Sequence, residues 1–350
     1  MKHIIVYYEP GRFGGWPANG GIWIWGNEVL VCFQLGYYKE SVTSHSIDQN
    51  KPIVLALARS KDGGETWELE MDSSINCVNT EEPKPIPEEG INFGHPDFSM
   101  KVGKAGVEIK GNIFTVSYDR GHNWRGPYAF YIVNKNITDI TGRTDYIIEG
   151  AKSCLVFLSH KVEDIQCTAF SDRAFVIRTD DGGKSWYFIG YITEDQARSV
   201  MPSTVKTKDG RLITAIRRRL DISDGVSAYI QKNWIEVCES LDGGKSWHAI
   251  SCPANTGMHN GNPPSLVLLP DNRLVLTYAY RGDKSFIKAR ISNDIGRTWG
   301  DEIILRDDAR TYDIGYTRTV IRPDGRLLTV YYFSTLERLE QHIEATIWEV

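Results

Sequence analysis

The chain has 350 residues, 24% of them charged, with a formal net charge of −5 at pH 7 and a pI near 5.9. That balance excludes a strongly basic nucleic-acid-binding surface, and no apolar run reaches the ~18 residues of a membrane-spanning helix. Six cysteines, at positions 32, 77, 154, 167, 238 and 252, lack C-x-x-C spacing, and several fall in apolar strands. They read as reduced core thiols rather than as a disulfide framework.

In chain order, the first predicted strand is His3 to Tyr8, followed by an apolar, aromatic run from Ile22 to Phe33. Its apolar stretch is too short for a signal peptide, so the expectation is a cytoplasmic protein, or a periplasmic or secreted one if a leader was removed. A short turn then appears: Ser60, Asp62, Gly64, Thr66 and Trp67 in the pattern S/T-x-D-x-G-x-T/S/N-W. It recurs at Ser117 to Trp124, Thr179 to Trp186, Ser240 to Trp247 and Ser292 to Trp299. In this Asp-box pattern the carboxylate and hydroxyls can bond local N–H groups, glycine supplies a left-handed residue, and tryptophan staples the turn to its sheet. Each copy therefore caps a β-hairpin.

The motif aspartates 62, 119, 181, 242 and 294 lie 57, 62, 61 and 52 residues apart, room for four short strands and their loops. Strands are predicted at Ala174–Thr179, Leu212–Ile216, Ser265–Leu269, Leu274–Tyr280 and Leu327–Phe333, with Asp-Gly or Asp-Asn turns at 209–210, 271–272 and 324–325. The best helical candidate is Thr193 to Val200. The 56 residues after Asp294 match one more repeat and end in a strand-like run from His342 to Val350. The prediction is an all-β, six-bladed β-propeller of four-stranded antiparallel blades, one domain over residues 1–350, closed by the N-terminal strand pairing in the last blade.

Repeated Asp boxes on a six-bladed plan resemble the sialidase superfamily along essentially the whole chain. The resemblance implies that the boxes sit opposite the active site and that function lies where loops converge on the axis. From the repeat register those segments are Gly11–Asn19, Phe93–Phe98, Gly142–Tyr146, Arg198–Ser203, Met258–Ser265 and Tyr312–Arg318. They are dense in Arg, His and Tyr, which favours a polar ligand site. Arg12, Arg143, Arg198 and Arg318 would aim inward and suit an anion held by bidentate guanidinium contacts. Trp16 reads as a sugar-stacking platform, whereas Trp23 and Trp25 read as packing between blades. The run Arg217 to Arg219 reads as solvated or blade-bridging.

Sialidases hold the sugar carboxylate with three arginines, use an Asp as acid/base and a Glu-activated Tyr as nucleophile, an exception to two-carboxylate hydrolysis. By that resemblance Arg12 is the first arginine, Arg281 or Arg290 the third, Asp48 the acid/base and Tyr316 the nucleophile. The chain departs from the pattern twice. Pro202–Lys208 offers no activating carboxylate, and Asn233–Glu239 offers no second arginine. It supplies His95, Asp97, Asp145, His259 and Asn262 instead, and imidazoles beside carboxylates can act as general acid or base near neutral pH. The expected activity is therefore a sialidase-like, exo-acting hydrolysis of a terminal acidic sugar, with no metal or cofactor and a carbohydrate as partner. The alternatives are a non-catalytic glycan-binding propeller, or a uronate lyase or other glycosidase using His95 or His259.

Overall fold

The computed structural model describes residues 1–71, 74–76, 82–103, 112–163, 165, 171–223 and 229–350. Six antiparallel sheets form the blades of a propeller. In blade one the inner strand is split into β2 (Arg12–Gly15) and β3 (Gly21–Trp25) by a single helical turn, α1 (Pro17–Gly20), and continues through β4 (Glu28–Tyr37), β5 (Val54–Ser60) and β6 (Glu68–Glu70). Blade two pairs β7 (Ser99–Val102), β8 (Ile113–Ser117) and β9 (Arg125–Ala129). Blade three again has a divided inner strand, β10 (Ile140–Thr141) and β11 (Tyr146–Ile148), followed by β12 (Cys154–Lys161), β13 (Asp172–Thr179) and β14 (Tyr187–Tyr191).

Blade four comprises β15 (Arg198–Lys206), β16 (Leu212–Ser223), β17 (Tyr229–Ser240) and β18 (His248–Asn255), and blade five β19 (Ser265–Leu268), β20 (Leu274–Tyr280), β21 (Phe286–Ser292) and β22 (Ile303–Arg306). Blade six takes β23 (Gly315–Ile321), β24 (Leu327–Phe333) and β25 (His342–Trp348) from the C-terminal end and β1 (Lys2–Tyr7) from the N-terminal end, with Lys2 opposite Ile347 and Ile4 opposite Ala345. This is the predicted closure. It buries β25 completely between β24 and β1 and leaves the ring without an open edge.

Each Asp box follows the third strand of its blade and works as the residue types imply. Ser60 Oγ donates to Asp62 Oδ1 at 2.7 Å and accepts from Gly64 N–H at 2.7 Å, while Asp62 accepts from Thr66 N–H at 2.9 Å and Thr66 Oγ1 at 2.6 Å. The same bonds recur around Asp119, Asp181, Asp242 and Asp294. Trp67, Trp124, Trp247 and Trp299 donate their indole N–H to the glycine carbonyl of their own box. Trp186 makes no such bond; it is fully buried and packs edge-on against Phe93, Phe114 and Phe130.

Several elements differ from expectation. The run Ile22–Phe33 is a hairpin, because Gly26 (φ 60°) and Asn27 turn the chain between β3 and β4. Residues 193–197 form bends leading into β15 rather than a helix. Cys32, Cys154 and Cys238 are buried free thiols and Cys252 is an exposed one, while Cys77 and Cys167 lie outside the described residues.

Blade two departs from the expected register. Its three paired strands occupy the second to fourth places, so Phe93–Phe98 leads into a second strand and lies at the box end of the propeller. Ile91 N–H donates to Gly182 O of the third box at 2.8 Å, and Arg120 of the second box binds Asp97 at 2.6 Å.

Hydrogen bonds hold the box carboxyls below their ordinary value, down to about 2 at Asp62, Asp242 and Asp294. For Asp242 and Asp294 the largest cause is the hydroxyl of Ser246 or Thr298. At Asp62 burial is the largest influence and pushes upward, and the bonds from Thr66, Ser60 and Glu65 outweigh it. Because the folded values lie below the unfolded ones, this stabilisation is complete above about pH 4 and is lost as pH falls through about 2. Ser240→Ala, which orphans the buried N–H of Gly244, should lower stability by about 1–3 kcal/mol in urea unfolding. A change below experimental error would contradict the capping role.

Candidate active site

The first strand of each blade enters at the end opposite the boxes, and there a cavity of about 430 Å³ opens on the axis. Its wall includes Trp16, Asn19, His45, Asp139, Arg143, Lys161, Asp172, Arg198, Met201, Arg217, Asn260 and Tyr316. A regular strand turns alternate side chains away from the axis, so the inner strands must be interrupted to converge these groups. Helical turn α1 interrupts blade one after Trp16, Gly142–Asp145 separates β10 from β11, and register shifts occur between Val200 and Ser203 and between Gly315 and Arg318.

Of nine described non-glycine residues with positive φ, five line the cavity: Trp16, Asp139, Met201, Asn260 and Tyr316. Such conformations cost of order 1–3 kcal/mol each and cluster where function over-determines the backbone.

Tyr316 (φ 51°) shows how one of them is held. Its N–H donates to Asn262 Oδ1 at 2.9 Å, and Asn262 Nδ2 donates to Ile314 O at 2.9 Å. Gly315 (φ 107°) permits this approach, since a Cβ there would lie 2.5 Å from Asn262 and from Ala279. The Arg281 guanidinium sits 5.7 Å from the centre of the Tyr316 ring, and Arg217 Nη1 is 3.4 Å from its phenol oxygen.

The electrostatics are cationic. Arg198 binds Asp172 at 2.7 Å and Asn260 Oδ1 at 3.1 Å. Arg217 donates through Nε to Asn260 O at 3.0 Å, and burial, reinforced by Arg198 and Arg281, lowers its pKa to about 10, so it stays charged at neutral pH. Arg143 is 1% exposed, and none of its three nitrogens has a protein hydrogen-bond partner among the described residues. Burial, then repulsion from Arg318, pushes its pKa well down, with Asp145 opposing. Burial raises the Asp145 carboxyl against the pull of Arg318 and Arg143. The Trp16 indole N–H, also in the wall, is likewise unpartnered. Among the described residues no three His, Cys, Asp or Glu side chains cluster as metal ligands would.

Of the residues singled out from sequence, Trp16, Arg143, Arg198 and Tyr316 line the cavity. Trp16 is 3% exposed and packs on Phe13 and His45, so it is a buried wall and not an open platform. Asp145, Asn262, Arg281 and Arg318 are buried and outside the lining, and His259 is exposed beside Asn260, stacked on Tyr312 with centroids 3.7 Å apart.

The other five lie elsewhere. Arg12 covers the Tyr37 ring at 4.4 Å, and Asp48 closes a turn by accepting from Asn50 N–H. His95 accepts from Asp97 N–H, and both belong to the box end, because the blade-two segment precedes a second strand. Arg290, on β21, pairs with Glu302 ahead of β22.

The structure adds His45, Asp139, Asp172, Arg217 and Asn260. Strand alternation was the available signal for Arg217: Arg217 and Arg219 share a face and both bond Asn260, whereas Arg218 turns to Glu236 at 2.5 Å.

Fold and cavity together define an Asp-box propeller with an arginine-rich axial pocket. The chain belongs to the BNR repeat-like domain family, whose model matches residues 98–329. Among solved structures it is similar to a protein of unknown function from Dyadobacter fermentans, at 22% identity and TM-score 0.70, covering 99% of this chain and 98% of that one. It is also similar to an α-L-arabinofuranosidase from Fusarium graminearum (13% identity, TM-score 0.59, 97% and 96% covered) and to a Hadza microbial sialidase (14%, 0.58, 93% and 63%). At these identities the likeness shows the fold. No curated protein sequence matches the chain.

A buried, unpartnered guanidinium costs stability unless a ligand pairs with it. Arg143→Met should therefore raise the stability of the ligand-free protein, on the order of 1–3 kcal/mol by thermal or urea unfolding. A loss of stability would mean that Arg143 is a structural group.

Proposed function

We propose that the protein is a glycoside hydrolase that takes a terminal acidic sugar into the axial cavity. The observation that carries this reading is Arg143, a buried guanidinium in the cavity wall with no protein hydrogen-bond partner among the described residues. A carboxylate is the group that its fork of donors accepts best. Arg198 and Arg217 add positive charge to the same wall, and about 430 Å³ lies within the size range of small-molecule sites.

Tyr316 is the proposed nucleophile or transition-state partner. An anomeric carbon bearing a carboxylate repels an anionic nucleophile, whereas a phenol is neutral until it attacks. No carboxylate is bonded to the Tyr316 hydroxyl in the described contacts; Arg217 lies 3.4 Å away, where it would stabilise negative charge developing on the phenol oxygen. Likeness in fold to a sialidase and to an arabinofuranosidase supports glycoside hydrolysis at the coarse level, and the arginine wall favours the acidic sugar over the neutral pentose.

The test is turnover of aryl sialosides, uronides and neutral arabinosides by wild type, Tyr316→Phe and Arg143→Met. The expected result is turnover confined to acidic glycosides, a loss of about 10²-fold or more in kcat for Tyr316→Phe, and a KM for the acidic sugar raised at least about tenfold in Arg143→Met. Preferential hydrolysis of the arabinosides would overturn the acidic substrate. Binding of acidic sugars without any turnover would leave a lectin-like propeller in place of an enzyme.

A further inference from the structure

The loop joining β4 to β5 carries a histidine that neither composition nor repeat register marked. His45 Nδ1 lies 2.6 Å from Asp313 Oδ1, across 268 positions of sequence, and the imidazole forms part of the cavity wall. Asp313 is 1% exposed and fully engaged: Tyr332 Oη donates to Oδ1 at 2.6 Å and Ser46 N–H donates to Oδ2 at 2.9 Å. Burial alone would raise its carboxyl, but His45, Arg281 and the Tyr332 hydroxyl together hold it below its ordinary value. Asp313 is thus an anion at neutral pH, and it accepts the proton on Nδ1. Trp16 packs edge-on to the imidazole with centroids 4.9 Å apart and limits its rotation. Nε2, the nitrogen on the far side of the ring, has no hydrogen-bond partner among the described residues.

We propose that His45 is the general acid/base of the axial cavity, with Asp313 as its positioning residue; this rests on the glycosidase reading above. The cavity's carboxylates are less suited. Asp172 is occupied by Arg198 and Thr141, and Asp139 stands exposed at the mouth. In the first half of the reaction the bond from the anomeric carbon to the leaving oxygen breaks, its electron pair goes to that oxygen, the oxygen takes the proton from His45 Nε2, and the anomeric carbon is left as an oxocarbenium ion with Tyr316 as its transition-state partner. The neutral ring then removes a proton from the water that attacks the anomeric carbon, which restores the imidazolium. The net change is addition of one water across the glycosidic bond. A histidine held by a buried aspartate suits both halves, because Asp313 fixes the ring through Nδ1 and leaves Nε2 to give and take the proton.

The test compares acidic glycosides with a poor leaving group, an alkyl alcohol, and an activated one, 2,4-dinitrophenol, since only the former needs a proton as the bond breaks. In kcat/KM, which reports cleavage of the glycosidic bond, His45→Gln is expected to lose about 10²–10⁴-fold on the alkyl glycoside and less than about tenfold on the dinitrophenyl glycoside. Added imidazole should restore part of the alkyl activity in His45→Ala. Asp313→Asn should move the basic limb of the kcat/KM profile to lower pH, because removing the anion disfavours the imidazolium. The charged and titratable groups around His45 are Asp313, Tyr332, Arg281, Tyr312 and Tyr316, and His259 beyond Tyr312.

Equal losses on both leaving groups in folded His45→Gln, or no loss on either, overturn the acid/base role while leaving glycoside hydrolysis standing. A product absorbing near 235 nm would mean elimination and overturn the hydrolytic step. A wild type that turns over none of these substrates overturns the glycosidase reading and this one together.

Discussion

A buried guanidinium with no hydrogen-bond partner among the described residues is the constraint on which the site depends. Arg143 is 1% exposed and lies between the two pieces of the blade-three inner strand. With it, Arg198, Arg217 and Arg318 stand against two buried carboxylates, Asp145 and Asp172. An arrangement with surplus buried positive charge is costly unless something anionic enters. The cavity supplies the space for that anion.

The closed ring makes such a site affordable. Inner strands that leave regular geometry give up ladder hydrogen bonds and force residues such as Trp16, Met201 and Tyr316 into left-handed conformations. The Asp-box caps repeat the same bonds around each motif aspartate, whereas five of the left-handed residues gather around the cavity at the opposite end. Stability is concentrated in repeated hairpins at the box end, and chemistry is concentrated in irregular backbone at the other. Tyr316 joins the two: Gly315 and Asn262 hold its backbone while Arg217 and Arg281 surround its ring.

The architecture was legible because it is written in local, repeated chemistry. Each box is complete within eight residues, and five copies in register fixed blade number, capping end and closure before any coordinates. The site was legible only where a residue sat at a first-strand entrance, as Trp16, Arg143, Arg198 and Tyr316 do. His95 and Asp97 were misplaced because blade two pairs three strands, so counting back from its box reached the wrong end of the sheet. Asp48 and His45 share one loop, and the family pattern drew attention to the carboxylate. Choosing the imidazole required Asp313, brought beside it from the last blade, and no local signal carries that contact. Arg217 lay in a basic run just past the predicted strand end at Ile216, and its alternating faces become distinct once β16 is seen to continue to Ser223.

The most direct measurement is calorimetric titration of the wild-type protein with sialic acid and with its methyl ester, which keeps the ring and removes the charge. The account predicts binding of the acid at least about tenfold tighter than the ester, with the advantage abolished in Arg143→Met. Equal affinity for acid and ester, or an unchanged preference in the variant, would contradict it.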